Sequence, residues 1–256
     1  MIFRFVIILA LVAVVPNLTH AQELSQKEPI EITADGALEW QKQENKYVAR
    51  GNAVAKQGEM QVSGDVLEAF YNPAVSSTDI TNFVATGNVL TETPDGTVRG
   101  QKATYDVASG EVIFTGNNLK LEGDGSTITA DKSLKYNRIE QKFTATGNAR
   151  ATEPEKSITG DTLIIYFDQS NKKTTSFKRA EAVGNVTILS GKEKATGNKA
   201  TYTKSNNLAV LEGDVKITQG TTILEGARAT MNTETGVSQL YADPGTKRVK
   251  AVFFPK

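Results

Sequence analysis

The chain of 256 residues contains no cysteine, and its one histidine is His20. No disulfide framework can hold the fold, so stability must come from a packed core. Cysteine nucleophiles, Ser-His-Asp triads and zinc sites built on imidazole or thiolate are excluded outside the first residues. Aromatic residues make up only 7% of the chain. Basic and acidic residues balance at 29 each, which leaves no global basic field for nucleic acid. What survives is carboxylate chemistry and oxygen-ligand metal binding.

Long apolar runs are missing as well. The one pronounced stretch, Phe5 to Val15, spans 11 residues, short of the roughly 20 that cross a bilayer. It follows Arg4 and precedes Pro16 and the small residues around Ala21. This pattern predicts a secretory signal peptide over 1–21, cleaved after about Ala21, with an uncleaved membrane anchor as the alternative. Cleavage removes Arg4 and His20 and leaves a chain with a net charge of about −1. Residues 22–28 read as a polar leader, and 29–256 as one domain, since no Pro/Ser-rich linker interrupts them.

What the sequence does have is a repeat. Gly-Asn or Gly-Asp pairs stand at Gly51-Asn52, Gly87-Asn88, Gly116-Asn117, Gly147-Asn148, Gly184-Asn185 and Gly213-Asp214, separated by 36, 29, 31, 37 and 29 residues. A second corner follows each by 13 or 14 residues: Gly64-Asp65, Gly100-Gln101, Ala130-Asp131, Gly160-Asp161, Gly197-Asn198 and Gly226-Ala227. A half-unit, Thr33-Ala34-Asp35, precedes the first. A double signal at this period marks a repeat architecture.

Between corners the chain alternates with period two, as in Phe83-Ala85-Gly87-Val89 and Leu211-Gly213-Val215-Ile217. That predicts half-buried antiparallel strands. The first-corner glycine shares the apolar parity and is expected to face inward, where a bent strand leaves no room for a side chain. After the second corner the parity flips, which calls for a bulge. At Asp131 the apolar residues are instead Leu134 and Tyr136, so a local register slip is expected there. Turn chemistry at Pro94-Asp95-Gly96, Glu153-Pro154, Ser190-Gly191 and similar sites divides the chain into about 12–16 strands. The predicted fold class is all-β: an elongated twisted β-jelly roll of stacked antiparallel strands, open at both ends.

A single unit cannot bury its apolar face, whereas stacked units share one interior. That interior is rich in Ala, Val and Gly. It is either a self-filled core or an incompletely closed groove able to take acyl chains, each methylene contributing about 0.8 kcal/mol. The recurring corner residues Asp35, Asp65, Asp131 and Asp161 could be stacked carboxylates for calcium or acid/base work. Because Gln101 and Asn198 fill the same slot, turn chemistry is the better account. No metal site, cofactor or catalytic residue is assigned. The open ends invite pairing unless Lys247, Arg248 and Lys250 protect them.

Pro29-Ile30-Glu31-Ile32-Thr33-Ala34-Asp35, Gly51-Asn52-Ala53-Val54-Ala55-Lys56-Gln57-Gly58 and Val62-Ser63-Gly64-Asp65-Val66-Leu67 occur in that order. In this they resemble the OstA-like (LptA-type) lipopolysaccharide-transport family, whose pattern is P-I-x-I-x-[AS]-D, G-N-V-x-x-x-Q-G and [IV]-x-[AG]-D-x-[LV]. Ala53 and Gly64 are minor departures, and the likeness weakens after about residue 235. The resemblance implies a V-shaped jelly roll with an apolar groove in the bacterial periplasm. It further implies a bridge carrying lipopolysaccharide from an inner-membrane export complex to an outer-membrane assembly complex, with head-to-tail stacking of copies.

On this reading the groove-lining candidates are Val54, Val62, Leu67, Phe83, Val89, Phe114, Leu121, Ile128, Phe143, Leu163, Ile165, Val186, Ile188, Leu211, Val215 and Ile217. The docking edges would be Ile30 and Ile32 at one end and Val249, Ala251 and Phe253 at the other. The expected partners are lipopolysaccharide, through its acyl chains, and both membrane complexes, with no nucleic acid. The rival functions are a membrane-anchored relative of the same fold, a carbohydrate-active β-solenoid enzyme and a structural repeat.

Overall fold

A computed structural model of the chain describes residues 29–123, 125–171, 174–243 and 248–252. The expected signal peptide, the leader and Phe253 lie outside them. Among the described residues, eighteen strands form one continuous antiparallel ladder. In chain order they are β1 (Glu31–Thr33), β2 (Ala37–Gln41), β3 (Lys46–Gln57), β4 (Met60–Tyr71), β5 (Ile80–Thr93), β6 (Gly96–Asp106), β7 (Glu111–Thr115), β8 (Leu119–Gly123) and β9 (Ser126–Ala130). There follow β10 (Ser133–Asn137), β11 (Lys142–Glu153), β12 (Lys156–Asn171), β13 (Thr174–Ser190), β14 (Glu193–Thr203), β15 (Leu208–Gln219), β16 (Thr222–Asn232), β17 (Ser238–Tyr241) and β18 (Lys250–Val252). Two single-turn 3-10 segments, Lys42–Glu44 and Lys204–Asn206, are the helical elements among the described residues.

The count exceeds the expected 12–16 because some rungs are split. β1 and β2 both pair with β3, one along each half of it. β7 and β8 pair with the two halves of β6, and β9 and β10 with the two halves of β11. β17 and β18 do the same on β16. Every long strand is therefore a bent rung. One set of halves, from β2 to β17, builds one sheet, called A here. The other set, from β1 to β18, builds sheet B. At about 4.8 Å per strand the stack runs for roughly 60 Å.

The bend falls at the Gly-Asn pairs. Register shifts by one residue between Arg50 and Ala53, Thr86 and Val89, Thr146 and Ala149, Val183 and Val186, and Glu212 and Val215. These are bulges. In each, the residue after Gly adopts a left-handed conformation, with φ of 42° at Asn52, 47° at Asn88, 41° at Asn148, 48° at Asn185 and 48° at Asp214. Asn and Asp tolerate this region better than other side-chain-bearing residues. The expected slip at Asp131 is present: β9 stops at Ala130, β10 starts at Ser133, and Leu134 and Tyr136 face Ala145 and Phe143.

The corner asparagines also clasp the neighbouring rung. Asn52 Nδ2 donates to Asp35 at 2.8 Å, Asn88 to Asp65 at 3.1 Å, Asn148 to Asp131 at 2.6 Å and Asn185 to Asp161 at 3.0 Å. The recurring aspartates are thus acceptors for asparagine. This corrects the expectation that the first-corner glycine faces inward. A Cβ on Gly87 would overlap the Asp65 carboxylate, and one on Gly184 the Asp161 carboxylate. At the other first corners the crowding group is also from the neighbouring rung: the Gly36 backbone over Gly51, Gln101 over Gly116, Lys132 over Gly147 and Asn198 over Gly213.

The core runs unbroken between the sheets. Its deep row in sheet A reads Ala49, Leu67, Ala85, Ala103, Phe114, Leu134, Ala145, Leu163, Ala182, Ala200, Leu211 and Ala229 along the stack. The matching row in sheet B alternates Val89, Val186 and Val215 with Gly100, Gly160, Gly197 and Gly226. Large groups of one sheet fill spaces left by small ones of the other. A Cβ on Gly197 would stand 2.8 Å from Leu211 Cδ1.

Gly87→Ala therefore has two costs, a positive φ of 76° and overlap with Asp65. It is expected to destabilise the fold by about 1–3 kcal/mol. Gly191→Ala, at φ 53° in open space, should cost about 1 kcal/mol or less. Urea unfolding midpoints of the two variants measure the difference, and equal midpoints would contradict the clasp.

Candidate functional site

The interior is the candidate site, and its chemistry changes from the bend to the rims. Next to the deep rows, sheet B carries Val62, Val98, Leu121, Ile128, Ile158, Ile188, Ala195, Ile217 and Leu224 on the same inward face. Of the sixteen sequence-predicted lining residues, twelve are buried in one shared cluster: Val89, Phe114, Leu121, Ile128, Phe143, Leu163, Ile165, Val186, Ile188, Leu211, Val215 and Ile217. Val62 and Leu67 pack against that cluster. Phe83 is half-buried and stacks on Tyr105 with ring centroids 6.3 Å apart.

Val54 is the exception. It stands between Thr33 and Ser63 in the ladder, and that row continues through Leu90, Arg99 and Lys120. It therefore lies on the outer face, while Ala53 and Ala55 point inward. The bulge at Gly51-Asn52 decides which of two adjacent apolar residues turns in.

The two inner rims differ. Toward the free end of sheet A the inward residues are aromatic. Trp40 stacks on Tyr47 at 5.7 Å, Tyr136 meets Phe167 edge-on at 6.3 Å, and Phe177 stacks on Tyr202 at 5.8 Å. Toward the free end of sheet B the inward row is polar. One step past the Thr127–Thr152 pair, Ser126 and Glu153 end their strands side by side, and the register continues the line through Lys156, Ser190, Glu193, Gln219 and Thr222 along the stack. Each lies two residues from a core aliphatic such as Ile128, Ile158 or Ile217, and so faces the same interior. Sequence reasoning missed this lip because its members flank turns, where polar residues are the default.

Burial pushes the Glu193 carboxyl above the ordinary glutamate range, and Gln219 Nε2 donates to its Oε1 at 2.5 Å. Ser126 is buried, with 5% exposure. Among the described residues its Oγ has no hydrogen-bond partner, and neither does Glu153 Oε1.

The ends of the stack expose apolar side chains. Ile30 is 45% exposed, and Ile32 pairs with Ala55 on the inward row. Val249 is 47% exposed, and Ala251 pairs with Leu224 on that row. Beside Ile30 stand Leu38, 64% exposed, and Trp40, 50% exposed, neither singled out by the sequence. Trp40 Nε1 donates to the Tyr71 hydroxyl at 3.1 Å, and Lys42 Nζ lies 4.2 Å from the ring centroid. A separate recess of about 450 Å³ opens chiefly among outward residues of sheet A, including Phe70, Val84, Thr104, Asp106 and Ile113. Asp106 is held below the usual carboxylate range by Ser109 and Asn82. No described helix is long and apolar enough to cross a membrane.

The raised pKa of Glu193 fixes the sign of a pH effect. Folding favours its protonated form, so its penalty is absent below the ordinary glutamate pKa of about 4.5 and grows as pH rises through the folded value. Glu193→Gln should raise the urea midpoint near neutral pH and leave it unchanged in acid. An equal shift at both pH values would contradict the burial of this carboxyl.

Among proteins of known sequence, an uncharacterized protein of Rhizobium meliloti (strain 1021) is 23% identical over 137 residues, 52% of this chain and 74% of that protein. Among solved structures, LptH from Pseudomonas aeruginosa, described as the LptA-homologous periplasmic component of the lipopolysaccharide transport device, aligns over 89% of this chain and 96% of its own. That alignment has 13% identity and a TM-score of 0.22. The family model described as LptA/(LptD N-terminal domain) LPS transport protein matches twice, over residues 31–138 and 127–237. The chain, a ladder of bent rungs around one apolar interior, belongs to the LptA/LptD N-terminal domain family of lipopolysaccharide transport proteins.

Proposed function

We propose that the protein is a periplasmic, non-enzymatic carrier that takes the acyl chains of lipopolysaccharide between its two sheets and passes them along the stack toward the outer membrane. The observation that carries this reading is the continuity of the interior: the inward rows pair from β1 and β2 to β17 and β18, and one buried apolar cluster spans them from β4 to β17. Family membership supplies the cargo class. Residues 1–21 would act as a cleaved export signal, and the energy for transport would come from a partner complex at the inner membrane.

The interior is filled by its own side chains, so an acyl chain has to part the sheets. The ladders favour this. Backbone pairing runs within sheet A or within sheet B, and the two are joined where the rungs bend. Opening at the free rims breaks no ladder hydrogen bond. It costs apolar contacts that the inserted chain replaces at about 0.8 kcal/mol per buried methylene. A photo-crosslinking residue at Ile188, inward and 3% exposed, should capture lipopolysaccharide, whereas one at the adjacent outward Thr187 should not. Equal adducts at both sites, or none at Ile188, would overturn the reading.

The stack would also extend by docking the β1–β2 edge of one copy on the β17–β18 edge of the next, or on the membrane complexes at the ends of the bridge. Exposed Ile30, Leu38 and Trp40 at one end and Val249 and Tyr241 at the other support it, since unpaired edges with apolar side chains seek partners. Phe253 would join the second edge. Trp40 is the chain's single tryptophan, so its emission should shift to the blue as concentration rises. Trp40→Ala should weaken self-association about tenfold or more. Association unchanged in Trp40→Ala would remove this edge from the interface.

A further inference from the structure

The polar lip of sheet B has no part in a purely apolar interior. Ser126, Glu153, Lys156, Ser190, Glu193 and Gln219 occupy one inward row, one step nearer the free rim than the aliphatic row. A fold that needed only a core would place apolar residues there, as sheet A does with its aromatic rings. Two of the lip's oxygens, Ser126 Oγ and Glu153 Oε1, are shut off from solvent without a donor. Such groups are costly and uncommon. The cross-strand neighbours Glu153 and Lys156 form no ion pair among the described residues, so neither satisfies the other. The donors of the row, Lys156 and the Gln219 amide among them, do not reach these two oxygens among the described residues.

We propose that this lip is a subsite for the sugar portion of the amphiphile, binding its hydroxyl and amide groups by hydrogen bonds while the acyl chains occupy the aliphatic rows beside it. This rests on the interior-binding reading above. A glucosamine-type sugar brings the O–H and N–H donors that Ser126 Oγ and Glu153 Oε1 require. With two carboxylates and one ammonium, the lip does not suit a phosphate, which a carboxylate repels. Glu193, kept by Gln219 in a half-buried position, offers a further acceptor of the same kind. The lip therefore sets the depth of insertion: the sugar stops at Ser126 and Glu153, and the chains extend past Ile128 and Ile158 toward the bend.

The test compares two probes on the full chain. Purified lipid A carries sugar donors and acyl chains. A fluorescent fatty-acid methyl ester carries an acyl chain and no donor. Ser126→Ala combined with Glu153→Met should weaken lipid A binding about tenfold, the worth of roughly one to two hydrogen bonds, and leave ester binding unchanged. Because both substitutions remove orphaned acceptors, the urea midpoint should not fall. Lipid A affinity that stays the same, or falls in step with ester affinity, overturns the lip as a subsite while leaving the interior reading intact. A wild-type chain that takes the ester but not lipid A does the same. A wild-type chain that binds neither overturns the interior reading and the subsite together.

Discussion

Every feature of this fold depends on a bend that a β-strand does not make unaided. Alternate rungs, β3, β5, β11, β13 and β15, turn from sheet A into sheet B at a glycine followed by a residue with positive φ, and at four of these corners that residue is an asparagine tied to an aspartate on the neighbouring rung. Without the bend the chain would be a flat meander with one apolar face exposed to water. With it, the inward faces of both halves meet and share a core. The same bulge flips the parity of the strand paired with it, so that in β6 Val98 and Gly100 line the interior in sheet B and Ala103 and Tyr105 line it in sheet A. The clasp is exposed and modest at any single corner. Repetition gives it weight.

The division into two half-sheets joined along one spine bears on transport as well. Hydrogen-bonded ladders resist deformation along the strand-pairing direction, whereas contact between the sheets is apolar and non-directional. The fold is thus stiff along its length and separable across its width. Its inner surfaces are also unequal. Sheet A ends in aromatic rings, sheet B in hydroxyls, carboxylates and an ammonium. On the proposed reading, an amphiphile entering from the free rims would meet one apolar wall and one polar lip.

Much of this was legible in the sequence. The paired corners at a spacing of 13 or 14 residues, the alternation between them and the parity flip specify bent antiparallel rungs, and twelve of the sixteen chosen lining residues are buried in the shared core. Val54 went astray because Ala53, Val54 and Ala55 are all apolar, and alternation cannot say which face survives a bulge. The corner glycine was assigned to the core for a similar reason. Its parity matches Ala85 and Val89, yet the residue that crowds it, Asp65, comes from the previous strand. Trp40 and the polar lip were hidden because each acquires meaning only from position: an end of the stack in one case, the inner rim in the other.

Where the acyl chains go is the point on which the account turns, and the outer recess at Phe70, Val84 and Ile113 offers a concrete rival location. Methyl NMR of the full chain with an amphiphile carrying a nitroxide on its acyl chain separates the two. The expected result is selective broadening of Ile188, Val215 and Ile217, which are 1–3% exposed in the interior. Broadening confined to outward methyls such as Val84, Ile113 and Val210, with the interior signals untouched, would contradict it.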